Sequence, residues 1–457
     1  MCASAHAETV AENEDFIHLD KVDGTWWLVD AEGERFVVAG MNHISFTTRF
    51  APYNKEYCLE EFGPGLFDES GVVWNGPEAK NWLRQVVKDN KDYGFSTIAF
   101  HYPPDLPSEY FEALGIHYLG KLKLGETSHL SVKWGGGFPD VFSDEWQTEA
   151  ERRVQAFTAR HKDNKHLVGY TYSDLPEYAY EAFLQRHEWH IQRFDVYVLH
   201  PWIEALVSKP GMPKAKQVWV DVLKSRYPSA AAAGAAYNVE VENWDDFASI
   251  SEWGLPDDEE QGIGDMTAMS KIITETWLKT HPDLIRKYDP NHLILGDKIS
   301  AHGPAQPDWV WELVSKYVDV VLIQDFEFFD EKHQAKLRHI YAKTGKPIIN
   351  GDHAYATLRP NQRAHKGVPV ENLTRVGEEY TRYTRGAMAL PFMLGWQYCG
   401  YIEQWAGATN DSTGQEQPGF FDPFGEPLLD ALVLVKEANE SAVSWHEAAE
   451  TESAGTP

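Results

Sequence analysis

The sequence predicts an α/β fold in which eight parallel strands close into a (β/α)8 barrel. Three observations carry this prediction. Short runs rich in β-branched residues alternate with long amphipathic stretches, the strand-like runs number eight, and 457 residues suffice for a barrel with long loops. Strands that alternate with helices are parallel and buried on both faces, and a count of eight favours closure over an open sheet.

The predicted strands are apolar runs that follow turn signals or helical patterns. They cover residues 36–43, 96–101, 117–123, 166–172, 292–296, 318–323, 347–350 and 392–397. Helical patterns over 79–93, 144–163, 266–288 and 331–344 stand between them. The segment 175–290, between the fourth and fifth strands, is too long for one helix, so we predict a helical insertion there.

Composition excludes several classes of partner. Forty-one basic residues against seventy acidic ones give a formal charge of −29, which repels nucleic acid. No apolar run of about 20 residues is present, so no membrane span is predicted. The three cysteines form no CxxC pair, and no GxGxxG or GxxxxGK[ST] motif follows an early strand. We therefore predict no metal and no cofactor.

The domain organisation follows from the ends of the chain. Residues 1–15 and 446–457 are small, polar and acidic, which predicts disordered tails around one domain over 16–445. The first seven residues contain an Ala-x-Ala pattern like that left where a signal peptide is cut. This pattern predicts a secreted or periplasmic protein.

In barrels of this kind, functional groups gather where the strands end, because all eight carboxyl ends open onto one face. The predicted strands end in carboxylates, imidazoles, amides and aromatics. Such a set suits sugar binding, as do the 17 Trp and 21 Tyr of the chain, whose rings pack against sugar C–H faces. Glycosidic cleavage needs one carboxylic acid to protonate the leaving oxygen and a second carboxylate to attack or to activate water. Asp174 and Asp352, after the fourth and seventh strands, are the candidate pair.

Several segments resemble, in order, those of glycoside hydrolase family 50, the β-agarases, a family of barrel glycosidases. They are residues 34–44, 138–143, 166–176, 289–298, 346–352, 395–398 and 418–422. The likeness covers about residues 20–440 and implies a hydrolase of red-algal galactans such as agarose, porphyran or carrageenan. The chain departs from the family pattern at two places. The Asn-Glu pair after the fourth strand is Ser173–Asp174 here, and the Glu nucleophile of the seventh strand is Asp352.

The resemblance implies roles for these two aspartates. Asp174 takes the place of the general acid, and Asp352 that of the nucleophile or base. Two shortened side chains should widen the carboxyl gap by about 1–2 Å, from the ~5–5.5 Å of a retaining pair toward the ~6.5–9.5 Å of an inverting pair. We therefore hypothesise inversion, and retention follows if the strand ends shift to compensate.

The remaining candidate residues would bind an oligo- or polysaccharide. They are Asn42, His43, His101, Tyr172, Ser173, Glu177, Gln324, Asp325, His353, Trp396, Tyr398 and Trp405. Glu177 is also a reserve acid, and Trp396 is expected beneath the sugar at the site of cleavage. Asp297 and Lys298 are expected to form an ion pair that braces the site.

Two other functions compete with a glycosidase. Asp352 and the neighbouring histidines could hold a metal in an amidohydrolase-like barrel, but the first strand lacks the His-x-His pair of such sites. Alternatively, the change of both family glutamates indicates a catalytically inactive barrel that binds carbohydrate. Retention of an acid at both positions favours the enzyme.

Overall fold

Eight parallel strands close into a barrel in the computed structural model of the chain. The structure describes residues 14–45, 50–68, 71–73, 75–103, 106–122, 139–176, 178–186, 201–254, 256, 258–302, 305–363, 366–408 and 416–454. The strands are β1 (Val38–Met41), β2 (Thr97–Ile98), β3 (His117–Lys121), β4 (Leu167–Asp174), β5 (Leu293–Ser300), β6 (Val321–Gln324), β7 (Ile348–His353) and β8 (Met393–Tyr398). Each strand pairs with its neighbours in chain order, and β8 pairs with β1. The predicted barrel and its strand order are confirmed.

The lower part of the barrel lumen is filled by apolar side chains. Inward positions of the strands form one buried cluster, which contains Val38, Phe100, Leu119, Val168, Leu293, Leu295, Val320, Leu322, Ile349 and Leu394. A small antiparallel sheet before the barrel, His18–Val22, Thr25–Val29 and Arg35–Phe36, adds Leu19 and Leu28 to the same cluster. This sheet closes the amino-terminal opening, so the lumen is accessible from the carboxyl-terminal face.

Helices surround the barrel and bury one face each. They are α1 (Pro77–Asp92), α2 (Ser108–Leu114), α3 (Asp144–His161), α4 (Glu259–Tyr288), α5 (Asp308–Val314), α6 (Glu331–Thr344), α7 (Leu373–Met388) and α8 (Leu429–Ala454). Several begin at a polar cap: Ser143, Asp330 and Asn372 each accept a backbone N–H of the first turn. These caps satisfy donors that a helix start leaves unpaired.

The loops after β1 and β4 carry most of the remaining secondary structure. Helix Lys55–Phe62 lies between β1 and α1. Between β4 and α4 the chain forms helices Tyr180–Arg186, Pro201–Val207, Lys214–Arg226 and Ala230–Ala236 and the 3-10 helix Trp244–Ser249. Two-stranded sheets join Phe67–Asp68 to Gly71–Val72 and Tyr355–Ala356 to Val368–Pro369. The predicted helical insertion between the fourth and fifth strands is confirmed.

The carboxyl-terminal region differs from the prediction of a tail that begins at residue 446. Helix α8 continues to Ala454, and His446 is fully buried, with ring nitrogens 2.9 Å from the carbonyl oxygens of Met388 and Trp26. Ala449, one turn later, is also buried. The small, polar composition that indicates a tail thus contains one packed helix face. Residues 1–13 of the other predicted tail lie outside the described residues. Within the described ranges, every helix is too short or too polar to span a bilayer.

Candidate functional site

A polar layer lies above the apolar lumen, where the strands reach their carboxyl ends. Lys298 of β5 lies at its centre and its side chain is fully buried. Its ammonium nitrogen is 3.1 Å from Asp174 Oδ1, 2.8 Å from Asp352 Oδ2 and 2.9 Å from His101 Nε2. We call Asp174, Lys298, Asp352 and His101 the mouth cluster. It joins β4, β5, β7 and the end of β2 in one group of side chains.

The two predicted aspartates therefore face each other. Because one nitrogen lies 3.1 Å from Asp174 Oδ1 and 2.8 Å from Asp352 Oδ2, these oxygens are at most about 6 Å apart. The Asp174 side chain is 40% exposed, whereas that of Asp352 is 6% exposed. The site thus opens to solvent over Asp174, with Asp352 deeper in the lumen.

Asn42, at the end of β1, holds Asp352 and the β2 end in place. Its amide nitrogen donates to Asp352 Oδ1 at 3.1 Å and to the carbonyl of Gly351 at 2.8 Å. Its amide oxygen accepts the backbone N–H of His101 at 2.9 Å. Because Asn42 is fully buried, these bonds form away from competing water.

His43 has a strained backbone beside this group. Its φ of 55° lies in the left-handed region, which is uncommon for a residue with a Cβ. Its ring stacks on that of His101 with centroids 4.3 Å apart and 14° between the planes. A Cβ at Gly400 would come within 2.9 Å of the His43 Cβ, so only glycine fits this close approach. Strain of this kind is common at functional sites.

Charge at the mouth cluster is set by the buried ammonium. Burial alone would raise the pKa of Asp352, but Lys298, with His101 and His43 beside it, holds the pKa well below its usual range. The pKa of Asp174 is also lowered, against the effect of burial, chiefly by Lys298 and then by His101. Burial would lower the pKa of Lys298, yet the two carboxylates raise it.

The two imidazoles are neutral at neutral pH. Burial and the charge of Lys298 lower the pKa of His101 to about 4. Burial and the neighbouring His101 lower the pKa of His43 well below its ordinary value. Two carboxylates, one ammonium and neutral imidazoles leave the centre of the site with one net negative charge.

The predicted ion pair between Asp297 and Lys298 is wrong. Asp297 accepts hydrogen bonds from the Ser173 backbone at 2.9 Å, the Ser173 hydroxyl at 2.5 Å and Trp277 Nε1 at 2.7 Å, and also from the Tyr178 hydroxyl. The pairing of β5 with β4 shifts register on both sides of Gly296, so Asp297 faces α4 and Lys298 faces the lumen. The Ser173 hydroxyl is bound to Asp297, which fixes the end of β4 behind Asp174.

Three predicted binding aromatics lie in the layer between strands and helices. Tyr172 stacks on His281 of α4, with centroids 4.5 Å apart. Trp396 donates to the Thr384 hydroxyl of α7 at 3.0 Å, and the Tyr398 hydroxyl donates to the carbonyl of Tyr355 at 2.6 Å. All three are at most 2% exposed. The structure does not bring them to the mouth, because these strand positions point outward.

His353 and Asp325 also lie behind the strands. The His353 ring is fully buried, with its centroid 4.8 Å from Tyr383 and 5.4 Å from Trp396. Asp325, fully buried, is 2.9 Å from Lys336 Nζ and 3.2 Å from His333 Nδ1, and Lys336 also lies 3.0 Å from Glu327. We call Asp325, Glu327, His333 and Lys336 the α6 cluster. It joins the β6 end to the helix outside.

Gln324 and Trp405 are placed where a ligand could reach them. Gln324 follows the inward residues Val320 and Leu322 at alternate positions, and its buried Oε1 has no hydrogen-bond partner among the described residues. Trp405 is half-buried on the loop after β8, with its ring 5.8 Å from Tyr53 and its Nε1 donating to Glu403 at 2.6 Å. Glu177 lies outside the described residues.

Two inward residues of the site were missed by sequence reasoning. The sequence pattern pairs Lys298 with Asp297 instead of with the two site aspartates, and it gives Gln397 no role beyond its place in segment 395–398. Gln397 is fully buried against Gly40, and neither amide atom has a partner within the described part of the chain. Gln397, like Gln324, is an amide side chain near the end of a predicted strand. The same sequence signal could therefore have identified it.

Among the described residues, two groups of side chains have donor atoms close enough for a metal ion. His43, Asp352 and Cys399 have ligand atoms within 4.8 Å of one another, as do Asp325, Glu327 and His333. An ammonium already lies beside the carboxylate of each group, Lys298 at Asp352 and Lys336 at Asp325. A second cation there would be repelled, so we assign neither group to a metal.

The fold and the site define a (β/α)8 barrel whose open face holds a pair of carboxylates. Among the solved structures that share this architecture are the agarase AgWH50C, PfGH50B and an exo-beta-agarase, each with a TM-score of 0.71. Their sequence identities to this chain are 16%, 16% and 18%, respectively. The matches cover 96%, 94% and 96% of this chain and 66% of each of the other chains. This chain thus spans 66% of the length of each, and the likeness establishes a common fold. The resemblance to family 50 barrels is thus confirmed for the fold. No protein-family model and no curated protein matches the sequence.

Proposed function

We propose that this chain is a glycoside hydrolase that cleaves a polysaccharide at the carboxyl-terminal mouth of the barrel. One observation carries the proposal: Asp174 and Asp352, from β4 and β7, share one ammonium and have oxygens within about 6 Å of each other. Asp352, ionised and almost buried, suits a nucleophile or base. Asp174, more exposed, suits the group that meets the leaving oxygen and the incoming water.

The groups around the pair suit recognition of one sugar ring. His43 and His101 line the mouth as neutral imidazoles, which can donate and accept hydrogen bonds with hydroxyls. Gln324 Oε1, a buried acceptor without a partner among the described residues, suits a sugar hydroxyl as donor. Trp405 on the rim offers a ring face to a neighbouring sugar.

A red-algal galactan of the agarose, porphyran or carrageenan type is the proposed substrate. Two of the proteins that share the fold are described as agarases. The net negative charge at the centre of the site favours a neutral sugar over a sulfated one at the point of cleavage. Because a polysaccharide does not cross membranes, we also propose that the protein acts outside the cytoplasm, as a secreted or periplasmic protein.

The stereochemical course proposed from this geometry is retention. Oxygens at most about 6 Å apart lie closer to the ~5–5.5 Å of a retaining pair than to the ~6.5–9.5 Å of an inverting one. This spacing supports the view that the strand ends are shifted and so compensate for the two shorter side chains. NMR of the first-formed anomer tests this: the anomer of the substrate linkage is expected, and the opposite anomer would establish inversion.

Lys298 favours a second candidate function, that of a catalytically inactive barrel that binds carbohydrate. An ammonium between the two carboxylates keeps both ionised, whereas hydrolysis begins with one protonated. In this case oligosaccharides would bind at the mouth without being cut.

Incubation with a panel of algal galactans separates the two functions. We expect new reducing ends with the wild type and none with Asp174→Asn or Asp352→Asn. Asp92→Asn is a matched control, because Asp92 is exposed at the end of α1, on the amino-terminal side of the barrel. Binding measured by calorimetry without reducing ends would support the inactive barrel. Cleavage that survives both substitutions at the mouth would overturn the proposed site.

A further inference from the structure

Lys298 uses its whole donor capacity within the mouth cluster. An ammonium has three N–H donors, and the nitrogen has three polar neighbours, Asp174 at 3.1 Å, Asp352 at 2.8 Å and His101 at 2.9 Å. Its side chain is fully buried, and the Phe100 ring lies 5.0 Å from the nitrogen on another side. A substrate therefore has no free donor to meet on Lys298, which acts only through the groups that it holds.

Among the described residues, the charged and titratable groups around this ammonium come from five strand ends. Asp174 faces Lys298, His101 and Asp352, while Asp352 also faces His43 and Cys399. Of the described groups that face Asp174, Lys298 carries a positive charge at neutral pH, whereas His101 is neutral. Lys298 therefore makes the largest favourable contribution to the ionisation of Asp174, ahead of His101.

We propose that Lys298 is a positioning residue that locks Asp174 as a carboxylate in the resting site, so that Asp174 begins a reaction as a base and not as an acid. This effect of Lys298 on Asp174, which we call the lock, is a property of the free protein. Its consequence for catalysis rests on the glycosidase function proposed above.

The consequence differs between the two steps of a retaining reaction. In the first, an Asp352 oxygen bonds to the anomeric carbon while the bond to the leaving oxygen breaks and its electron pair stays on that oxygen. A sugar alkoxide then needs a proton, which a locked Asp174 does not carry, whereas a nitrophenolate needs none. In the second step, water attacks the anomeric carbon, Asp352 is released, and the proton of the water passes to the Asp174 carboxylate. The lock slows the first step and suits the second.

Carbon-13 NMR of labelled aspartate carboxyl groups tests the lock without any substrate. The Asp174 signal, assigned by its loss in Asp174→Asn, is expected to titrate below the ordinary aspartate range in the wild type. In Lys298→Met the signal should move to a higher titration midpoint, and Lys298→Arg should restore the low one. Lys336→Met, which removes a comparable lysine of the α6 cluster, should leave it unchanged. An ordinary midpoint in the wild type, or no response to Lys298→Met, would overturn the proposal.

Should Lys298→Met fail to fold, the wild-type titration decides whether Asp174 is held as a carboxylate, since its assignment needs only Asp174→Asn. Kinetics with aryl glycosides of graded leaving-group acidity then test the consequence. We expect kcat/KM of the wild type to fall steeply as the leaving group becomes less acidic, and the dependence to flatten in Lys298→Met. Each unit by which the Asp174 pKa rises increases its protonated fraction at neutral pH about tenfold. Absence of hydrolysis with a low Asp174 titration would refute the glycosidase and leave the lock in place.

Discussion

The mouth cluster and the α6 cluster contain nearly the same chemical groups and differ in what surrounds them. Each has one lysine between two carboxylates with a histidine alongside: Lys298 with Asp174 and Asp352, and Lys336 with Asp325 and Glu327. At the mouth the lysine is fully buried and one carboxylate is 40% exposed. In the α6 cluster the lysine reaches the surface and Asp325 is fully buried.

This inversion of burial distinguishes the proposed reactive arrangement from a structural one. A lysine with a solvated end and a buried aspartate anchors a helix to a strand. A buried lysine beneath a solvent-accessible aspartate leaves a charged oxygen facing whatever enters the lumen. Residue types therefore do not distinguish the two clusters. What distinguishes them is the side of the strands on which each lies, the lumen for the mouth cluster and the helix layer for the α6 cluster. Substitutions in each cluster should affect different properties.

The largest expected difference is between Asp352→Asn and Asp325→Asn. Asp352→Asn should lower kcat on a cleaved galactan by at least about 10³-fold, since the proposed nucleophile is lost. Asp325→Asn should leave kcat within a fewfold of the wild type but destabilise the fold by about 1.5–3 kcal/mol, because Lys336 loses a charged hydrogen-bond partner. Initial rates and urea unfolding measure the two effects. A loss of activity in Asp325→Asn that exceeds the loss of folded protein would contradict the comparison.

Asp174→Asn should reduce kcat/KM on a galactan by about 10²-fold at the optimal pH of the wild type, the lower end of the usual range for an acid–base group, because Lys298 leaves only a small fraction of Asp174 protonated to supply the leaving oxygen. The loss should be smaller for a nitrophenyl glycoside, because its leaving group departs without a proton. Parallel assays of both substrates measure the ratio. Equal losses on the two would show that Asp174 serves binding or structure instead of proton transfer.

The stability of the protein should fall as the pH drops from about 6.5 toward 4. In this window the unfolded chain binds a proton at His101, with an ordinary pKa near 6.5, but the folded protein does not, since burial and Lys298 lower the pKa of His101 to about 4. Because only the unfolded chain binds this proton at His101, the free energy of unfolding falls by about 2–3 kcal/mol across the window. His101→Gln should lose less stability between pH 7 and pH 4.5 in urea unfolding; identical losses would exclude this role of His101.

Asn42→Ala should have the smallest of these effects. Loss of its hydrogen bond to a charged carboxylate corresponds to about 1.5–3 kcal/mol, or roughly a 10- to 150-fold fall in kcat/KM if the transition state feels it. Asn372→Ala, which removes a helix cap of α7, serves as a control with a change in stability alone. An Asn42→Ala variant as active as that control would show that Asp352 keeps its position without the amide.

Sequence reasoning found the barrel because periodicity is a property of the whole chain. All eight strands, their order and the helical insertion follow from alternating apolar runs, and Asp174 and Asp352 come together because all strand ends share one face. It did not find which side of each strand a residue occupies. The register shifts around Gly296 reverse Asp297 and Lys298, and Trp396 and Tyr398 face α7 and the loop after β7. A one-residue shift that turns a side chain around leaves no mark in an apolar pattern.

The most direct measurement is covalent trapping with a 2-deoxy-2-fluoro galactoside that carries a good leaving group, followed by peptide mass spectrometry. Such a reagent reacts by attack of the nucleophile, and the fluorine slows release of the glycosyl enzyme. We expect one adduct per chain on Asp352, and none in Asp352→Asn. An adduct on another carboxylate, or turnover of galactan with no adduct at all, would contradict the assignment of Asp352 as the nucleophile of a retaining pair.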